Sequence, residues 1–160
     1  MVNKFLVPGK LKEVKGSITA PESVRLAMVF VPCSLTGEFS SDVYDKITQR
    51  WSKVKNDYRS RFVNRENFKA GEIITTAVAS DVWVVQALCL TDKGKLDKTA
   101  LDNCVKKVIS TAKYETAFVH VSQLTLTTFP ALKKVLETGL LPEGLNLYCY
   151  SDTASELVKR

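Results

Sequence analysis

Apolar residues recur at spacings of three and four through one stretch of the chain, at Leu96, Ala100, Leu101, Cys104, Val105, Val108, Ile109 and Ala112. Lys98, Lys106, Lys107 and Lys113 fall elsewhere on the same cylinder, so the pattern predicts a helix that covers a sheet with one face. Residues 117–121, AFVHV, follow as a short β-favouring apolar run, as expected of a strand buried on both faces of a parallel or mixed sheet. The polar SQLTLTT is then predicted to be a turn at that strand's carboxyl end. Open α/β sheets bind ligands at such ends.

The rest of the chain alternates in the same way. KLKEV (10–14) has the period of a strand, and its lysines suit an exposed edge. After the turn GSITAPES, VRLAMVFVP (24–32) is apolar enough for a central strand and is predicted to end at its proline. Beyond the polar loop CSLTGEFSSD, with Ser40, Ser41 or Asp42 as cap, Val43, Ile47, Trp51 and Val54 predict one continuous helix, VYDKITQRWSKVKNDY. Residues 59–70 read as an irregular surface connection anchored by Phe62 and Phe68. EIITTAVA and VWVVQALCL, separated by Ser80 and Asp81, read as a tight hairpin. Thr127, Thr128, Phe129 and Pro130 supply a cap and an early-turn proline for a helix to about residue 138, closed by Gly139. Pro142 to Gly144 turn into a last strand, LNLYCY, and the tail SDTASELVKR adds a turn of helix or frays. These elements predict a three-layer α/β/α sandwich around a mixed, mostly parallel sheet of about six strands.

Composition narrows this modestly. A length of 160 residues suits one domain with its own core, and 45% hydrophobic with 25% charged residues is ordinary for a globular chain. No apolar run approaches the roughly 18 residues of a membrane span, and MVNKFLVPGK lacks a signal-peptide core, so an intracellular, cytoplasmic setting without membrane contact is expected. Cys33, Cys89, Cys104 and Cys149 are far apart, and the last three sit in apolar patterns, which points to reduced core thiols rather than a disulfide framework or a metal site. No cofactor is indicated. The net charge of +6 includes Lys10, Lys12 and Lys15 and then a basic run, Arg50, Lys53, Lys55, Arg59, Arg61 and Arg65, which is either a nucleic-acid patch or a solvated face. His120, the only histidine, reads as a hydrogen-bonded sheet residue. Trp51 and Trp83 read as core.

Order and spacing of these segments resemble a macrodomain, and within that family the small members that remove terminal ADP-ribose or hydrolyse ADP-ribose phosphate. VKGSIT resembles the family's opening turn, VRLAMVFVPCS the strand leading to its first loop, and QRWSKVKNDY its following helix. FKAGEIITTAVASDVWVVQALCLTD resembles its hairpin, and GKLDKTALDNCVKKV its next helix. FVHVSQL resembles the strand before its phosphate loop, and FPALKKVLE with LNLYCYSD its closing helix and strand. The resemblance implies a ligand site made from Ser17 and Ile18 of the turn, from Cys33, Ser34, Thr36, Gly37, Ser40 and Ser41 of the first loop, and from Ser122, Gln123, Thr125 and Thr127 of the second.

Departures from the family pattern fall on those same positions. Ser17 stands where the family's aspartate reads the adenine amino group. Gly37 is the only glycine of TGEFSSD, where Glu38 and Asp42 oppose phosphate, and SQLTLTTF has none. Lys93 or Lys95 approximates the lysine of the hydrolases, but residues 125–128 offer no carboxylate partner. Two functions follow: a module binding ADP-ribose, a related nucleotide or an ADP-ribosylated target without turnover, or a scaffold binding nucleic acid or protein through its basic face. An ADP-ribose hydrolase is a third.

Overall fold

In a computed structural model describing residues 7–22 and 24–151, the apolar runs form the middle of one six-stranded sheet. Its strands are β1 (Leu11–Lys15), β2 (Leu26–Ser34), β3 (Ile73–Ala79), β4 (Val82–Leu90), β5 (Ala117–Ser122) and β6 (Leu147–Ser151), arranged β1-β6-β5-β2-β4-β3. Every pairing is parallel except that of β3 with β4, the expected hairpin. The helices are α1 (Asp42–Arg50), α2 (Ser52–Asn64), α3 (Lys98–Glu115), α4 (Gln123–Thr128) and α5 (Pro130–Leu140), with a 3₁₀ turn at Leu141–Glu143. The tail from residue 152 onward lies outside the described residues.

Strand alternation divides the core into two layers, one on each face of the sheet. Met28 and Phe30 of β2, with Val85, Ala87 and Cys89 of β4, join Leu101, Val105 and Val108 of α3 and Leu132, Leu136 and Leu140 of α5. The intervening Val29, Val31 and Cys33, with Val84 and Leu88, join Val43, Tyr44 and Ile47 of α1 and Val54 and Tyr58 of α2. Each fully buried aliphatic side chain contributes about 1.5–3 kcal/mol relative to exposure. The alternation therefore fixes which strand residue faces which helix.

Several boundaries differ from the sequence reading, each for a physical reason. Pro32 lies inside β2 opposite Ala87 of β4, whereas β5 pairs with β2 only from Leu26 to Val29. At Pro32 the strand is thus an edge on one side, where a missing N–H is tolerated. The single helix predicted through residue 58 is two helices, broken at Trp51, whose φ of −134° is not helical. Trp51 N–H still closes α1 on Ile47 O, and its ring is buried. The connection expected from residue 59 is helical to Asn64 and ends at Arg65 in the left-handed region. Gly139 does not end α5: a Cβ there would stand 3.0 Å from Ile109 and 3.1 Å from Val105, so this glycine permits close packing of α5 on α3. The left-handed stop is Gly144. SQLTLTT is helical rather than a turn, because Ser122 Oγ caps Leu124 N–H and the hydroxyls of Thr127 and Thr128 bond back to the carbonyls of Gln123 and Leu124. Phe129 precedes α5 without a side-chain cap, and Pro130 occupies its first turn.

No helix among the described residues is long and apolar enough to cross a membrane. All four cysteines are buried, and none is joined in a disulfide among the described residues.

Candidate functional site

Chain direction creates a crevice at the carboxyl ends of β2 and β5. After β2 the chain leaves to the face covered by α1 and α2, and after β5 it leaves to the face covered by α4 and α5. Adjacent parallel strands that diverge in this way leave a gap between their exits. The gap here is a cleft of about 340 Å³. Val31 and Pro32 of β2 and Leu90 of β4 lie at its base, with Phe39 to Val43 along one wall. Leu124, Thr125, Thr128 and Phe129 form the other, and Gly94 completes the lining. A larger groove, about 460 Å³, lies between the outer faces of α3 and α5, away from the β2 and β5 exits.

The wall after β2 is braced from behind. Tyr58 Oη donates to Ser34 O at 2.7 Å and accepts from Gly37 N at 3.1 Å, fastening the loop to α2. Gly37 has φ of +83°, and a Cβ there would stand 2.6 Å from the Phe62 ring, so both backbone and space require glycine. Rings stack edge to face through Phe39, Tyr44, Tyr58, Phe68 and Phe62. Beneath them Gln86 accepts from Tyr44 Oη at 2.8 Å and donates to Val54 O at 3.0 Å. Burial pushes the Tyr44 and Tyr58 hydroxyls up from their ordinary values, and the Cys33 thiol likewise, so all three stay neutral.

Several loop amides are bonded within the protein. Thr36 N bonds Ser34 Oγ, Gly37 N bonds Tyr58 Oη, and Glu38 N bonds Thr36 Oγ1. Tyr44 N bonds Ser41 Oγ and Asp45 N bonds Ser41 O. On the other wall Leu124 N bonds Ser122 Oγ and Phe129 N bonds Thr125 O. Polar lining is supplied by the hydroxyls of Ser40, Ser41, Thr125 and Thr128, and Asp42 is the only ionisable side chain in the lining among the described residues.

Of the residues singled out in the sequence, Ser40, Ser41 and Thr125 thus line the cleft. Ser34, Thr36 and Gly37 build the loop behind it, and Cys33 is buried 3.8 Å from Gln86 Oε1. Ser122 caps α4, Gln123 accepts from Cys149 Sγ, and Thr127 faces solvent. Ser17 and Ile18 lie in the turn after β1, where Ser17 Oγ bonds Thr19 Oγ1 at 2.7 Å and Ile18 is fully buried. The apolar lining residues Phe39, Val43, Leu90, Leu124 and Phe129 were missed; their signal was apolar side chains set inside or beside polar loops.

Lys93 and Lys95 flank Gly94 in a tight turn held by Thr91 Oγ1, and neither lines the cleft. The basic run is split across α2. Lys53 and Arg61 share a helical row with Asp57 between them, at spacings of four, whereas Lys55 and Arg59 share another row on the far side of buried Val54 and Tyr58. Arg50 and Arg65 stack over the Trp51 and Phe62 rings.

His120 faces the same side of the sheet as α1 and α2. Its Nδ1 is 2.8 Å from Tyr150 Oη, its ring stacks on Tyr148 at 4.5 Å, and Nε2 is buried with no hydrogen-bond partner among the described residues. Burial pushes its pKa down to about 4. The hydroxyl of Tyr150 also meets Glu22, accepting from its N–H at 2.8 Å, and so ties the turn after β1 to β6 and β5. Of the two tryptophans read as core, Trp51 is buried and Trp83 half-buried.

No family model matches the sequence, and no curated protein matches it. Solved structures do match. A macrodomain protein from Streptomyces coelicolor superposes with a TM-score of 0.82 at 21% identity, over 88% of this chain and 98% of that one. The macrodomain of Thermus aquaticus DarG gives 0.68 at 14% identity, over 89% and 99%. Thermosipho africanus DarTG in complex with ADP-ribose gives 0.69 at 12% identity, over 92% of this chain and 44% of that one. The chain has the macrodomain fold.

Proposed function

We propose that the chain is a macrodomain-type binding module that seats ADP-ribose, a related nucleotide or the ADP-ribosyl group of a modified target, without hydrolysing it. The observation that carries this reading is the cleft at the diverging ends of β2 and β5, in a fold shared with a DarTG solved in complex with ADP-ribose. Affinity for ADP-ribose itself is expected to be micromolar or poorer, weaker than about −8 kcal/mol, since the Gly37 and Glu38 amides are bonded internally and Ser17 is engaged with Thr19. Absence of turnover is the expected behaviour because neither Lys93 nor Lys95 lines the cleft and residues 125–128 offer no carboxylate.

An amide-resolved NMR titration with ADP-ribose tests the proposal. Shifts confined to residues 39–43 and 124–129 are the expected result. No shift at millimolar ligand, together with shifts along α2 on adding a single-stranded oligonucleotide at about 150 mM salt, would replace it with the polyanion reading.

A further inference from the structure

We infer that the groove of about 460 Å³ between α3 and α5 is a docking site for a second protein, and that its occupant is an acidic helical segment with leucine-like side chains along one face. The floor is aliphatic. Gly139 brings the two helices together, with Val105 buried in the seam and Ile109 and Val135 left partly exposed at its surface. The groove lies away from the β2 and β5 exits, so occupancy of the cleft does not bear on it.

Charge around that floor selects the occupant. Lys98, Lys106 and Lys134 line the groove from exposed positions, against the single carboxylate of Asp102. Other lysines of the same two helices are engaged, Lys107 with Glu72, Lys113 with Glu143 and Lys133 with Glu137. None of the three rim lysines forms an ion pair among the described residues. One aspartate offsets one lysine, so the rim keeps an excess of positive charge. An acidic helix answers both features: apolar residues three and four apart reach the floor, and carboxylates on its flanks meet the lysines. Lysine stems then cover the bound segment with methylene groups while their ammonium groups stay in water. A nucleic acid fits less well, because no arginine and no aromatic ring lines the groove to stack on a base.

Fluorescence polarisation of labelled probes with the whole chain, at about 150 mM salt, tests this. The first probe is a helical peptide with leucines at helical spacing between glutamates. A second peptide replaces its glutamates with lysines, a third replaces its leucines with alanines, and an oligothymidylate of the same charge as the first is the fourth probe. The first peptide should bind about fivefold or more tightly than each of the others, the effect of a few exposed charge pairs or a few buried methyl groups. Lys106→Glu combined with Lys134→Glu, both at exposed helix positions, should reverse the order of the acidic and basic leucine peptides. Thr138→Trp, which fills the groove from an exposed position, should weaken the first peptide by a similar factor while leaving urea unfolding unchanged. Equal binding of the acidic and basic leucine peptides overturns the inference, and so does equal binding of the alanine peptide, which would reduce the site to bare charge. Tighter binding of the oligothymidylate would make this face a nucleic-acid surface instead. No binding at millimolar peptide, or binding unaltered in both folded variants, also overturns it.

Discussion

On the α3 and α5 side of the sheet, leucines and valines at helical spacing meet aliphatic strand residues, and nearly every buried group is apolar. The α1 and α2 side instead buries Tyr44, Tyr58 and Tyr150, with Gln86 and His120 in the sheet beneath them. Burial of aliphatic surface is non-directional and sums with area, so the first side supplies stability without fixing any loop. Hydroxyl and amide groups must find partners at set distances, so the second side supplies position. The cleft wall after β2 is braced from this second side, by Tyr58.

Three measurements break or sharpen the contrast. Leu132→Ala on the aliphatic side should cost about 2–5 kcal/mol in urea unfolding, through lost transfer energy and a cavity, while leaving amide shifts of residues 34–41 near their original positions. A cost below about 1 kcal/mol would show that this layer repacks and is not the main reservoir of stability.

Acid should act through the other side. His120 is held neutral in the native state with its pKa near 4, against an ordinary value of about 6.5 when unfolded. The unfolded chain therefore binds the extra proton between these values, so stability is full above about pH 6.5 and falls as pH drops toward 4, by up to about 3 kcal/mol. His120→Phe removes the titration, and its urea-unfolding free energy should fall less between pH 7 and pH 4.5 than that of the original chain. Parallel losses in the two proteins would show that carboxylates, not His120, govern acid sensitivity.

Tyr58→Phe should have the smallest effect on stability, about 1–3 kcal/mol for the unsatisfied Ser34 carbonyl and Gly37 N–H, but the largest on the loop. Hydrogen exchange at Gly37 should rise while exchange in α3 does not. Equal acceleration in both would mean that the hydroxyl supports the whole fold rather than one wall.

The aliphatic side was also the more legible from sequence. Leu101, Val105 and Val108 of α3 and the run AFVHV of β5 declare helix and strand by period alone. On the other side the break at Trp51 was invisible, because Val43, Ile47, Trp51 and Val54 keep helical spacing straight through it. Extension of α2 to Asn64 could have been read from Val54, Tyr58 and Phe62, three apolar residues four apart, had the basic residues among them not suggested a loop. In the candidate site, β-branched threonines disguised α4, whose helical turn depends on side chain to backbone bonds that no hydropathy pattern encodes. The bond occupying the Gly37 amide was equally hidden, since it depends on Tyr58 reaching Gly37 across 21 positions.

Pairing of β1 with β6 joins Leu11 to Leu147 and Lys15 to Ser151, across nearly the whole described chain. Closing so long a loop costs more entropy than any other pairing in the sheet. Docking of β1 is therefore expected late in folding, and amide exchange along β1 faster than along β5 would show its undocking in the native state. When it leaves, β6 becomes an edge of bare N–H and C=O groups bearing Leu147, Cys149 and Tyr150, without the guard that Lys12, Glu13 and Lys15 provide. Self-association of this protein would begin at that uncovered strand.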